Sequence, residues 1–102
     1  MATSPPDNGS SKIDRQIKKA GLPTAGPVQF VPQLDTNKRG DPIIRRGSIL
    51  YGPKQGKKGY VDTLGRIWIK CLAHGSYPDH WDVQVDQGKD YFRVDLDGNV
   101  LP

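Results

Sequence analysis

The residues of this chain best suited to chemistry fall in one short run, His80-Trp81-Asp82-Val83-Gln84-Val85. As a strand it sends Trp81, Val83 and Val85 to one face and His80, Asp82 and Gln84 to the other. At a rise of roughly 3.3 Å per residue, an imidazole, a carboxylate and an amide then follow one another every 6–7 Å or so. An imidazole beside a carboxylate is the minimum set for moving protons. Cations must accompany such a pair if the substrate is anionic, and this chain carries 15 Lys and Arg against 11 acidic residues, net +4. The charge is unevenly spread. Residues 36–70 hold nine Lys and Arg against Asp41 and Asp62, whereas residues 71–102 hold Lys89 and Arg93 against six aspartates. A basic band next to an acidic stretch points to phosphate binding beside a reactive site. No glutamate occurs, so every carboxylate sits on a short stem.

The elements that would position these groups can be read from pattern. At 102 residues there is room for one domain. Residues 1–35 are rich in Pro, Gly and Ser and read as a linker or N-terminal segment; the domain is expected over 36–102, with its core drawn from about 43–101. Within the first part, Ser11-Lys-Ile-Asp14 resembles a capping box, Ile13, Ile17 and Ala20 recur at helical spacing, and Gly21 is a stop, so a short helix is expected at 11–20. Val28–Val31, bracketed by prolines, reads as an edge segment at best, and residues 33–47 read as loop. Ser48–Tyr51 reads as a short strand. Gly52–Gly59 is a glycine-rich basic loop without P-loop spacing, in which Lys54, Lys57 and Lys58 supply charge for a phosphate. Tyr60–Asp62 and Arg66–Cys71 flank a turn as a hairpin, His80–Val85 and Tyr91–Leu96 alternate, and Asp97-Gly98 is a tight turn into Asn99–Leu101. The expected fold is α+β and mostly β: a short N-terminal helix and a small twisted antiparallel sheet of four to five strands.

Period-two alternation places Ile67, Ile69 and Cys71 on the core side of their strand, with Arg66, Trp68 and Lys70 opposite. In 91–96, Phe92, Val94 and Leu96 form the core set, and Tyr91, Arg93 and Asp95 oppose them. If the strands share one core, Arg66, Trp68, Lys70, His80, Asp82, Gln84, Tyr91 and Arg93 share one polar face. Such a face suits RNA: cations hold phosphates, and Trp68 and Tyr91 stack unpaired bases. A general base can activate the 2′-hydroxyl, an acid can protonate the leaving 5′-oxygen, and cations stabilise the transition state without a metal. His80 and Asp82 are the acid–base candidates, Lys70 and Arg93 the phosphate stabilisers, and His74 a further catalytic candidate in the loop. Gln84, Tyr91, Trp68, Arg66, Lys57 and Lys58 are the substrate-binding candidates. No cofactor and no metal are expected; two histidines and one cysteine give no zinc spacing, and Cys71 reads as a core residue. The single cysteine excludes an intrachain disulfide, and no apolar run approaches a membrane span. Competing readings are a non-enzymatic nucleic-acid-binding β module, a metal-dependent DNase and a structural domain.

The stretches GKKGYVDTLGRIWIK (56–70), HWDVQ (80–84) and YFRVDLDGNV (91–100), with Gln29-Phe-Val-Pro32 at the entry, resemble the C-terminal toxin domains of bacterial polymorphic toxins. These domains, here of the type 17 kind, are carried by Rhs and contact-dependent-inhibition effectors. Trp81-Asp82-x-Gln84 is also similar to the ribonuclease domain of ribosome-inactivating colicins. The resemblance implies a metal-independent endoribonuclease acting on rRNA or tRNA in the cytoplasm of a target cell. It also implies delivery within a larger secreted effector, a monomeric toxin domain and a cognate, acidic immunity protein. Asp82 falls on a catalytic aspartate of the colicin pattern, which then expects His and an acidic residue where Val85 and Lys89 stand. In that comparison either His80 or His74 supplies the imidazole, or the site is arranged differently.

Overall fold

The computed structural model describes residues 8–49, 56–72, 75, 78–86 and 89–102. The chain is α+β and mostly strand. Helix α1 (Asn8–Ala20) is followed by β1 (Leu34–Thr36), β2 (Pro42–Ile44), β3 (Arg46–Ser48), β4 (Lys58–Val61), β5 (Ile67–Cys71), β6 (His80–Val85), β7 (Asp90–Asp95) and β8 (Val100–Leu101). β1 and β2 make a two-stranded ribbon, and β3 to β8 form one six-stranded antiparallel meander in sequence order. The strands outnumber the four to five expected. Two of the extra strands come from residues 33–47, expected as loop, where β1 and β2 pair through the register Leu34↔Ile44 to Thr36↔Pro42; the six-stranded sheet is itself larger than expected, and its first strand, β3, also begins in that segment, ahead of the strand expected at 48–51. None of the helices among the described residues is long and apolar enough to cross a membrane.

The N-terminal part belongs to the core. Ile13 and Ile17 of α1, Leu22, Phe30 and Ile44 pack with Trp68, Trp81, Val83 and Val94 in one buried cluster. This adds to a core expected from residues 43–101 alone, because one helical stripe and two loop residues suffice to cover a small sheet. The helix ends as its sequence dictates. Gly21 adopts φ +80°, its N–H reaches the Lys18 carbonyl and the Leu22 N–H reaches Ile17, and Leu22 packs beside Ile17 in the core. This is a Schellman ending with its apolar contact. The Gln16 amide ties the helix to β2, donating to the Pro42 carbonyl (3.2 Å) and accepting from Ile44 N–H (3.3 Å).

Rings fill the helix-side layer edge to face. Phe30 meets Trp68 at 5.4 Å between centroids, Trp68 meets Trp81 at 6.3 Å, and Tyr60 meets Trp81 at 6.0 Å. Trp68 needs a partner for its buried indole N–H, and the Asp62 carboxylate provides it at 2.9 Å. Asp62 also receives Leu64 N–H, Arg66 N–H and the Arg66 guanidinium, at 3.0, 2.8 and 2.6 Å. This one buried side chain therefore closes the β4–β5 turn and anchors the central ring.

Candidate functional site

Registered partners in an antiparallel pair share a face, so pairing sorts the candidates. β5 and β6 pair as Ile67↔Gln84, Trp68↔Val83, Ile69↔Asp82, Lys70↔Trp81 and Cys71↔His80. β6 and β7 pair as His80↔Asp95, Asp82↔Arg93 and Gln84↔Tyr91. The face turned away from the helix thus carries His80, Asp82, Gln84, Tyr91 and Arg93, together with Ile67, Ile69 and Cys71.

Strand β5 is therefore one residue out of phase with the expectation. Trp68 is not a stacking platform; it is fully buried under Phe30 on the helix side. Lys70 lies on that same side, with its Nζ 3.4 Å from the Ala20 carbonyl and 5.8 Å from the Trp81 ring centre. The end of α1 draws it there, since terminal carbonyls attract a cation. Trp81 Nε1 caps Gly21 O beside it at 3.0 Å. Arg66 is held by Asp62 and stands 5.9 Å from the Trp68 ring centre, so it too is off the candidate face. Ile67 and Ile69 find space on the far face because Gly47 of β3 and Gly59 of β4, paired with each other, offer no side chain there. A Cβ on Gly59 would stand 2.6 Å from Ile67 Cγ2 and 3.1 Å from Ile69 Cγ1. With Ile49 and Val61 also buried, β5 is apolar on both sides, and apolarity alone could not tell its core face from its site face. Lys57 and Lys58 are exposed at the start of β4. His74 and Lys54 lie outside the described residues.

The centre of the site comes from the β5–β6 hairpin. His80 is almost wholly buried, 2 % exposed, whereas the Asp82 side chain is 24 % exposed. Imidazole Nδ1 lies 2.9 Å from the Pro78 carbonyl. A carbonyl can only accept, so Nδ1 carries the hydrogen and Nε2 is turned toward Asp82 Oδ1 at 3.4 Å. The other oxygen, Oδ2, receives the Cys71 thiol at 3.0 Å. Two acceptors, Asp82 Oδ1 and Gln84 Oε1, are buried without a hydrogen-bond partner among the described residues. Beyond Asp82, Arg93 reaches Tyr91, its NH2 group donating to the hydroxyl at 3.3 Å with the guanidinium carbon 5.5 Å from the ring centre. Tyr91 is exposed. Asp95, opposite His80, is engaged in the β7–β8 turn: Asn99 N–H, foremost, holds its carboxyl below the usual carboxylate range.

The arrangement gives one partly accessible carboxylate, backed by a buried imidazole and a thiol, and flanked by an amide, a phenol and a guanidinium. Cys71 is the site member that sequence reading missed; the signal for it was the hairpin itself, whose strand ends at 71 and 80 pair directly. Compared with protein-family models, with curated proteins and with solved structures, the chain finds no match.

Proposed function

We propose that this chain is an RNA-cleaving toxin domain, a metal-independent endoribonuclease whose substrates are rRNA or tRNA. What supports the reading best is the register Asp82↔Arg93 and Gln84↔Tyr91, which lines a carboxylate, a guanidinium, an amide and an exposed ring along one face of a basic chain. RNA offers a phosphate for the guanidinium, a base for the ring and a 2′-hydroxyl for the carboxylate. Asp82, the more accessible of the acid–base pair, takes the 2′-hydroxyl proton. Arg93 stabilises charge on the phosphorane, and the Tyr91 hydroxyl, polarised by Arg93, gives its proton to the leaving 5′-oxygen. The products are a 2′,3′-cyclic phosphate and a free 5′-hydroxyl. His80, being buried, positions Asp82. The resemblance to polymorphic toxin domains adds an acidic immunity protein as partner and delivery to a target-cell cytoplasm within a larger effector.

The test is incubation of the purified chain with total RNA in the presence of chelator, with detection of cyclic phosphate ends. Asp82→Asn and Arg93→Ala should each slow cleavage about 10²-fold or more. Lys70→Gln, on the helix side, should leave the rate within about twofold, since it makes no contact that changes in the transition state. Salt-sensitive RNA binding without turnover in the parent would replace the enzyme with a binding module.

A further inference from the structure

The three groups that meet at the end of the β5–β6 hairpin are a thiol, an imidazole and a carboxylate, and their ligating atoms all lie within 4.8 Å of one another. We propose that Cys71, His80 and Asp82 form a site for a borderline-soft divalent cation of the zinc type. The proposal stands without the RNA reading; under that reading the bound ion would occupy the Asp82 base, so the metal-free chain is the cleaving form.

The donor set decides the class of ion. Thiolate and imidazole favour zinc, cobalt or copper over magnesium or calcium, which require oxygen ligands. The imidazole is oriented as a ligand: the Pro78 carbonyl holds the Nδ1 side of the ring and Nε2 is turned toward the carboxylate, as outer hydrogen bonds commonly arrange ligating histidines. Asp82 Oδ1 is buried without a hydrogen-bond partner among the described residues. An ion between it and Nε2 would supply one. Bond lengths of roughly 2.0–2.2 Å to N and O give a tetrahedral edge of about 3.4 Å, and Nε2 and Oδ1 are 3.4 Å apart. The thiol already touches the same carboxylate, 3.0 Å from Oδ2. On binding it loses its proton to solvent, and its sulfur turns from that oxygen to the ion. Three protein ligands leave a fourth position for water or another group.

Cobalt(II) is a suitable probe because the chain has a single cysteine, so any thiolate-to-cobalt charge-transfer band in the near ultraviolet reports Cys71. Titration of the chelator-stripped chain should give that band, saturating at one equivalent. Cys71→Ser should abolish it, and Asp82→Asn and His80→Gln should each weaken cobalt affinity at least about tenfold, with folding verified by circular dichroism. A second measurement needs no variant: zinc should slow disulfide-reagent labelling of Cys71 in the parent at least about tenfold. Absence of the band at millimolar cobalt, a band indifferent to Asp82→Asn in a folded variant, or labelling unchanged by zinc would overturn the proposal. None of these readouts involves RNA, so a failed metal site and a failed ribonuclease are told apart.

Discussion

Replacing Asp62 by Asn changes one oxygen to an amide nitrogen and should cost the fold several kcal/mol. The carboxylate divides its work cleanly. Oδ1 accepts the two backbone N–H groups of the turn, Leu64 and Arg66. Oδ2 accepts Arg66 Nε and Trp68 Nε1, at 2.6 and 2.9 Å. An Asn side chain can keep its oxygen on the turn, but its NH2 then confronts two donors. Arg66 is 21 % exposed on its side chain and can turn to water, so its loss contributes about 1 kcal/mol, discounted for screening. Trp68 has no such escape at 0 % exposure; a buried indole N–H left unpaired costs about 1–3 kcal/mol. With the donor–donor conflict added, the total is about 3 kcal/mol, a large part of the roughly 5–15 kcal/mol that holds a domain together. Urea unfolding followed by far-ultraviolet circular dichroism measures it, and a companion Arg66→Met, which spares the indole contact, should lose only about 1 kcal/mol. If Asp62→Asn loses less than about 1 kcal/mol, the carboxylate is not the anchor of the central ring.

Two further outcomes follow from the same geometry. Gly59→Ala should destabilise by about 1–3 kcal/mol in thermal melts, because its Cβ would stand 2.7 Å from the Trp68 carbonyl oxygen as well as against Ile67. The Asn99 N–H, foremost, holds the Asp95 carboxyl below the usual carboxylate range, so the native fold favours its ionised form. Its contribution is therefore present above the unfolded carboxylate range and lost as pH falls through the lower folded value, so carbon-detected NMR should show Asp95 titrating below the free-aspartate range, and Asp95→Asn should flatten the acid limb of stability.

How far the sequence carried depends on what each signal measures. Turn chemistry was legible: Asp97-Gly98, the Thr63–Gly65 turn and Gly21 all mark real chain reversals or stops, because backbone conformation there is a local property. The alternation in β6 and β7 was legible too, since one face is apolar and the other polar, although Leu96, expected in the core, lies past the end of β7 and is exposed. It was incomplete in β5, where Ile69 and Cys71 are buried as expected but Trp68 is buried as well, on the opposite, helix side. Gly47 and Gly59 on the neighbouring strands admit those apolar side chains to the second face, and nothing in residues 66–71 reveals that. Register held the answer: with strands ending at 71 and 80, Cys71, Ile69 and Ile67 must stand across from His80, Asp82 and Gln84. The strands β1 and β2 were hidden by Pro42 and Gly40, whose usual meaning as breakers is overridden by anchoring to the helix through Gln16. The candidate face accordingly kept His80, Asp82, Gln84, Tyr91 and Arg93, lost Trp68, Lys70 and Arg66, and gained Cys71.

The Cys71–His80 pairing means that all three members of the thiol–imidazole–carboxylate group are contributed by a single hairpin. Helix α1, the β1–β2 ribbon and the last two strands lend it stability but no ligating atom. Such a group is modular: its geometry is carried by the ladder between 67 and 84, so the loop joining the two strands can be lengthened ahead of Pro78, whose carbonyl holds the His80 ring, without separating its members. The same economy makes it brittle to insertion, because one residue added within β6 before Asp82 would turn the carboxylate to the helix side and dissolve the cluster at a stroke.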